Sequence, residues 1–432
     1  MLGDAGAAQP GNNMERLLRS TLAGLVTRGT LEVVMASGTR FVAGDGTGMP
    51  SAMRFTDAKA QWAFLLDPEL KFGELFMDGR LLIERGSLYD LFCLLMVNAR
   101  QAPENPWLEA VDRVRFALRR WKQRNDRRRS QRNVAHHYDL DAELYDLFLD
   151  ADRQYSCAYF EHPDQTLEAA QLAKKRHVAA KLIVEPGQRV LDIGCGWGGL
   201  ALYLAEVAEA GRVLGITLSE EQIKIALDRA QRRGLQARVE FRIEDYRELD
   251  ERFDRIVSVG MFEHVGLPYY DAYFSHCRRL LKDDGVMLMH TIGISGPPAH
   301  ADPWIDKYIF PGGYVPALSE ILPAIERAGL VVADIEVLRL HYASTLREWR
   351  ERFMQRRDRA VALRDERFCR MWEFFLAFCE AAFRHETLVV FQIQLAVRND
   401  AVPLTRDYIV QREATLRLRE HGGPDTSRPG TA

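Results

Sequence analysis

The sequence predicts an α/β fold, a parallel sheet with helices between its strands, preceded by a small α+β domain. Three observations carry the prediction. Beyond Leu182, apolar runs of strand length alternate with helical stretches, the pattern of a parallel sheet whose ligands gather at the carboxyl ends of its strands. One such run, Val190-Leu191-Asp192-Ile193, passes directly into a glycine-rich turn, Gly194-Cys195-Gly196-Trp197-Gly198. The chain has 432 residues and is 47% hydrophobic, which suffices for two or three domains with sizeable cores.

Taken in order, residues 1–15 form a Gly/Ala-rich leader with no apolar core, expected to be disordered and unlike a secretory signal. Residues 16–110 make the small domain. Leu17–Val26 reads as a helix, Leu31–Val34 and Arg40–Val42 as strands, and Leu88–Asn98 as an apolar helix. Between them Pro68–Arg80 carries the phrase Phe72-Gly73-Glu74-Leu75-Phe76-Met77-Asp78-Gly79. Residues 111–132 are a basic linker helix; its stretch from Arg113 to Arg132 includes Arg119, Arg120, Lys122, Arg124, Arg127, Arg128 and Arg129, with Asp126 the only acid. A solvated linker and an electrostatic footprint on anionic lipid explain that stretch equally well. The interleaved Val114, Phe116, Leu118 and Trp121 suit an interfacial helix.

Residues 133–399 hold the α/β domain. Its expected strands are Arg189–Ile193, Arg212–Ile216, Val239–Ile243, Arg255–Val259, Val286–His290 and Val331–Val337. Its helices include Leu200–Ala208, Ser219–Arg233 and Tyr270–Leu281. A Phe-rich helical region follows Leu346, and residues 400–432 read as a polar tail. There are no internal repeats.

Composition excludes several classes. A formal charge of -3 with no recognition motif argues against nucleic acid as a partner. Six cysteines without a C-x-x-C pair argue against a disulfide framework or a zinc ribbon and fit a reducing cytosol. His136 and His137 lack the partners of a zinc site, so no metal is expected. The apolar runs, such as Leu91–Val97, are too short to span a bilayer. The expected location is therefore cytoplasmic, with peripheral contact at the inner membrane face. The oligomeric state is open, and a homodimer is among the options.

The glycine turn is the strongest local signal. Val190-Leu191-Asp192-Ile193-Gly194-Cys195-Gly196-Trp197-Gly198 lacks the later glycine spacing of the dinucleotide fingerprint. It resembles the first motif of class I S-adenosylmethionine-dependent methyltransferases, which implies their Rossmann-like sheet and their cofactor. Most such enzymes end the second strand with an acid that holds the ribose, but here it ends Thr217-Leu218-Ser219. Gln222, one turn into the next helix, is the substitute donor or acceptor. Asp245 and Tyr246 follow the third strand, where they would hold the adenine amino group and cover the ring.

Further phrases resemble the cyclopropane fatty acid synthases. They are His136-His137-Tyr138-Asp139-Leu140; Tyr155-Ser156-Cys157-Ala158-Tyr159-Phe160; Gly215-Ile216-Thr217-Leu218-Ser219; Met261-Phe262-Glu263-His264-Val265-Gly266; His290-Thr291-Ile292; Ile309-Phe310-Pro311-Gly312-Gly313; and His341-Tyr342-Ala343-Ser344-Thr345-Leu346. The likeness runs from about Asn133 to about Ala396. The N-terminal domain also looks like that of the phospholipid-acting members. The resemblance implies a cyclopropane ring built on the cis double bond of a phospholipid acyl chain, with inserted helices forming an acyl pocket. It also implies cofactor contacts at Tyr155, Ser156, Gly194, Gly196, Thr217, Leu218, Gln222 and Tyr246, and Asp192, where the strand meets the glycine turn, is expected to join them. Finally it implies a bound bicarbonate held by Cys157, Glu263, His290, the backbone at Ile292, and Tyr342.

Plainer explanations stand beside these. A lone Cys is usually a small buried hydrophobe, and nucleophilic catalysis by Cys157 is not required by the chemistry. His264 reads as support for Glu263. Phe368, Met371, Trp372, Phe375, Phe378 and Phe383 recur at near-helical spacing, which core packing explains more readily than an acyl tunnel. An alternative outcome on the same scaffold is an unsaturated fatty acid methyltransferase giving a methyl-branched or methylene product. A methyltransferase for small molecules and a non-catalytic lipid-binding protein are the other readings, which the intact glycine turn and Cys157 and Tyr342 phrases disfavour.

Overall fold

The computed structural model describes residues 13–101, 106–124 and 142–421. Arg127, Arg128, Arg129, Arg132, the phrase His136–Leu140 and most of the leader lie outside them. The chain divides into two compact units. The first takes the residues up to Ala117 together with Asp302–Ile309 and Trp349–Glu386, and the second takes the rest.

In the first unit, α1 (Asn13–Leu25) precedes β1 (Leu31–Val34), β2 (Arg40–Ala43) and β3 (Ser51–Phe55). Then come α2 (Ala58–Leu66), α3 (Pro68–Met77), β4 (Leu81–Arg85) and α4 (Leu88–Ala99). The sheet order is β2-β1-β3-β4, with β1 and β3 parallel and the outer pairs antiparallel. β3, β4 and α2 were not legible: β3 reads Ser-Ala-Met-Arg-Phe and shows no clean alternation. Side-chain oxygens start the helices where chain direction changes. Asp57 accepts from Ala60 N, and Ser87 and Asp90 form a reciprocal capping box. The Phe72 phrase of α3 packs inward. A Cβ at Gly73 would lie 2.2 Å from the Trp304 indole, so only glycine lets that ring approach.

The Phe-rich region is largely core packing of this unit, the more readily expected explanation. Phe374 centres 4.4 Å from Trp304, 5.5 Å from Phe72 and 5.0 Å from Phe92, edge or tilted pairs that favour close packing. Trp372, Phe375 and Phe383 are likewise buried.

The linker helix α5 spans Pro106–Lys122. Trp107, Val114, Leu118 and Trp121 are 58%, 58%, 45% and 65% exposed. Their spacing, i, i+7, i+11 and i+14, puts them on one stripe.

In the second unit the four-residue helix α6 (Ala142–Tyr145) and α7 (Leu167–Leu182) lead into the sheet. It is built from β5 (Arg189–Ile193), α8 (Gly199–Glu206), β6 (Arg212–Thr217), α9 (Glu220–Arg232), β7 (Val239–Ile243), β8 (Phe253–Val259), α10 (Tyr270–Leu280) and β9 (Leu281–Ile294). The short α11 (Pro303–Tyr308) belongs to the first unit. The second unit resumes with α12 (Leu318–Arg327), β10 (Val331–Val337) and the start of α13 (His341–Gln355); α14 (Arg357–Leu363) and α15 (Glu366–His385) belong to the first unit, and β11 (Leu388–Ala396) and α16 (Asp407–Glu420) return to the second.

Among the described residues the sheet has seven strands in the order β10-β11-β9-β8-β5-β6-β7. β9, β8, β5, β6 and β7 are parallel, as expected. β11 corrects the expectation of helix throughout that region: it lies antiparallel between β9 and β10. The expected polar tail is corrected in part as well. α16 packs on α7, with Ile409 and Leu416 in the core, Glu413 2.7 Å from His177 and Glu420 2.9 Å from Arg176. No helix among the described residues is long and apolar enough to cross a membrane.

Candidate active site

The carboxyl ends of β5, β6, β7 and β8 open onto one cavity. All ten residues expected to hold the cofactor line it: Tyr155, Ser156, Asp192, Gly194, Gly196, Thr217, Leu218, Gln222, Asp245 and Tyr246. The turn after β5 is pinned from β6, because Gly194 N and Cys195 N both donate to Ile216 O, at 2.9 and 3.0 Å. Gly194 has φ +82, and an added Cβ would lie 2.9 Å from that of Met261. Gly196, φ +54, has no such neighbour within 4 Å. The first glycine lets two loops touch, and the second leaves bare backbone facing open space.

Where an acid is usual, Thr217 Oγ1 donates to Gln222 Oε1 at 2.8 Å. The oxygen of Gln222 is thereby satisfied, and its amide N–H groups are what remain for a ligand oxygen. Ser219 caps α9 through Gln222 N and fixes the base of that side chain. Asp245 is held by Arg247, at 2.8 Å from Nε and 2.6 Å from a terminal nitrogen. Any ligand amino group meeting Asp245 would share the carboxylate with that pair. The Tyr246 ring stands edge-on to Tyr273, centroids 5.2 Å apart.

Burial sets the charges at the opposite end. Asp192 has no hydrogen-bond partner on Oδ2. Desolvation pushes its pKa up to about 7, against the pull of Lys174. Lys174 is itself pushed down to about 8 by burial. It donates to Gln154 Oε1 and, at 3.0 Å, to Ser156 Oγ. A buried ammonium beside a buried carboxylate suits a zwitterionic amino-acid group. Lys174 went unnoticed because Lys174-Lys175-Arg176-His177 reads as a solvent-facing helix turn, whereas α7 is buried on nearly every side.

The five residues expected at the anion site lie outside this lining, yet Met261, His264 and Val265, from the loop that carries Glu263, form its wall. Glu263 Oε1 accepts from Ile292 N at 2.7 Å, and Oε2 is buried with no partner. Desolvation pushes Glu263 up to about 7. The Ile292 N–H is thus already donated to Glu263, and an anion at this place would have to share it or meet Ile292 through that carboxylate. His290, two residues along β9, is buried and held near 3 chiefly by desolvation. His264 is pushed down to about 4 by burial and its ring faces Phe310, centroids 5.8 Å apart.

Cys157 is 1% exposed; its thiol donates to Ala158 O at 3.3 Å, and burial pushes its pKa far up. A thiol this reluctant to ionise is a poor nucleophile. Tyr342 sits in the first turn of α13, between two residues that grip the Cys157 loop. Phe160 N donates to His341 Nδ1 at 3.0 Å, and Ala158 N to Thr345 Oγ1 at 3.0 Å. Within the set Glu263 bonds to Ile292, and the loop contacts tie the segment after Cys157 to the helix that carries Tyr342.

Comparison with known proteins agrees with this geometry. Residues 125–393 match the family described as mycolic acid cyclopropane synthetase. The chain is 40% identical to the cyclopropane-fatty-acyl-phospholipid synthase of Escherichia coli K12 over 329 residues, 76% of this chain and 83% of that one. It is 41% identical to the tuberculostearic acid methyltransferase UfaA1 of Mycobacterium tuberculosis over 281 residues, 62% and 65% of the two chains. Among solved structures, mycolic acid cyclopropane synthase CmaA1 complexed with SAH and CTAB is similar at a TM-score of 0.58 and 34% identity, covering 62% of this chain and 98% of that one.

Proposed function

The chain belongs to the mycolic acid cyclopropane synthetase family, and we propose on that premise that its acceptor is an unsaturated acyl chain carried by a membrane phospholipid. It is an S-adenosylmethionine-dependent enzyme that cyclopropanates unsaturated acyl chains. The phospholipid is supported by the extent of the likeness to the E. coli phospholipid-acting enzyme, which exceeds that to the mycolic acid synthase structure.

The alkene attacks the sulfonium methyl. A carbon–carbon bond forms, the sulfur–methyl bond breaks, and positive charge is left on the second alkene carbon. Loss of a proton from the new methyl group then frees the C–H pair to close the ring. The protein must align alkene and methyl, exclude water, and stabilise the cation. Gln222, Thr217 and the Gly194–Gly196 turn hold the nucleoside, and Lys174 with Asp192 holds the amino-acid end.

Bicarbonate, bound among Cys157, Glu263, His290 and Tyr342, would supply the base for that proton. The fit rests on Glu263 Oε2, a buried acceptor without a partner, which an acidic O–H satisfies. Ile292 aims Glu263, His290 offers a donor, and the Tyr342 ring faces the cation. We place the protein against the cytoplasmic face of an anionic membrane, with α5 as its contact.

The observation that carries the reading is the meeting of all ten expected cofactor contacts in one cavity walled by the Glu263 loop. Expression in a bacterium lacking the activity, followed by mass spectrometry and proton NMR of its lipids, should show cyclopropane acyl chains, and Glu263→Gln should sharply reduce them. Unmodified lipids from cells making folded wild-type protein would refute it. The likeness to tuberculostearic acid methyltransferase supports a second reading, a methyl-branched or methylene product, which the same NMR spectra distinguish.

A further inference from the structure

His290 on β9 stands directly opposite Gln392 on β11, so the two side chains share one face of the sheet. Gln392 Nε2 lies 3.2 Å from His290 Nδ1. On its other side Gln392 Oε1 accepts from Lys181 Nζ at 2.9 Å. Lys181 is also paired with Glu336. Glu336 lies 2.7 Å from His177 Nε2, and Glu413 2.7 Å from His177 Nδ1. His290, Gln392 and Lys181 are each at most 2% exposed, so water does not rearrange the row.

The direction of each bond follows from donor inventory. An ammonium has only donors, so the amide atom facing Lys181 must be the oxygen. The amide nitrogen also has only donors, so the ring atom it meets must be an unprotonated Nδ1. The single ring proton of a neutral His290 is then on Nε2. We propose that Gln392, clamped by Lys181, is a positioning residue that locks His290 as the neutral Nε2–H tautomer, making it a hydrogen-bond donor to an anion rather than a proton acceptor.

The surroundings point the same way. Burial and the nearby charges of Lys174, Lys181 and His177 disfavour the imidazolium, with Glu336 alone opposing them. His177 on α7 shows the contrast. Burial works against its charge too, but hydrogen bonds to Glu336 and Glu413 outweigh it and raise its pKa. The same carboxylate, Glu336, therefore anchors a cation at His177 and, through Lys181 and Gln392, a neutral donor at His290. The inference deepens the proposed function and rests on it only for the statement that His290 faces the anion.

The test uses full-length protein labelled with ¹⁵N-histidine, its His290 signals assigned with His290→Gln. Two-bond nitrogen–proton spectra of the resting wild type should show an acceptor-type Nδ1 and a protonated Nε2 at neutral pH. In Gln392→Glu the carboxylate can only accept, so the proton should move to Nδ1. Turnover should fall about 10–100-fold, the usual range for loss of an orienting partner, while cofactor affinity stays within about twofold. Gln392→Leu keeps the bulk without polar atoms and should give mixed tautomers, guarding against a misfolded charge variant. A protonated Nδ1 in the wild type would overturn the lock. A shifted tautomer with unchanged turnover would support the lock and instead remove His290 from the proposed anion site.

Discussion

Glu263 has one oxygen committed to Ile292 N and the other buried without a partner. Burial is the main reason its pKa is raised to about 7. The charged form is the one that can strengthen a neighbouring base, and it is lost as pH falls through that value. At saturating S-adenosylmethionine, which takes Asp192 out of the measurement, kcat should therefore fall on the acid side with an apparent pKa near 7. Glu263→Gln should be slower by about 10²–10³-fold, the scale for losing one preorganised electrostatic partner, and should lack that limb. An acid limb of the same midpoint in Glu263→Gln would assign it to another group. Much of the cofactor constellation was legible because Gly194, Gly196, Thr217, Leu218 and Gln222 fall within a strand, its turn and the next strand–helix junction. Lys174 and Gln392 were not legible: a lysine in a helix and a glutamine in a strand carry no sign of burial until the neighbouring layers are in place.

The elements differ in how plainly the sequence announced them. β5, β7 and β10 keep their expected limits because apolar strands between turn signals are local features. β11 was missed because Leu388-Val-Val-Phe-Gln-Ile-Gln-Leu-Ala follows a long helical pattern and is buried along most of its length, so it lacks the alternation of a half-exposed strand. α16 was missed for the opposite reason: Ile409 and Leu416 are its buried residues, too few to set a helical period. α5 has a clear stripe, but one that points outward, with Trp107, Val114, Leu118 and Trp121 exposed beside Arg113, Arg120 and Lys122. An apolar stripe bordered by cations matches an anionic bilayer surface. Replacing Leu118 and Trp121 with serine, or Arg113, Arg120 and Lys122 with glutamine, should each weaken sedimentation with anionic vesicles several-fold without altering S-adenosylhomocysteine affinity. Unchanged vesicle binding in both variants would remove α5 as the contact.

On the scale of the whole chain, segments far apart in sequence complete each unit. Asp302–Ile309 and Trp349–Glu386 join the N-terminal residues, and Glu420 reaches back 244 residues to Arg176. α16 is therefore part of the catalytic unit's core. Leu416→Ala should destabilise the protein by about 2–5 kcal/mol, the cost of a buried leucine truncation, visible as a lower midpoint in scanning calorimetry; a midpoint within error of wild type would place Leu416 outside the cooperative core. The sequence by itself determined the α/β class, the glycine turn, the cofactor and the family, because each is written in contiguous residues whose backbone needs are local. Tertiary structure alone decided that Glu263 is bonded to Ile292, that Lys174 and Gln392 are interior, and that the Phe-rich helix serves the N-terminal unit. Those facts depend on desolvation, and desolvation is a property of what surrounds a residue rather than of the residue itself.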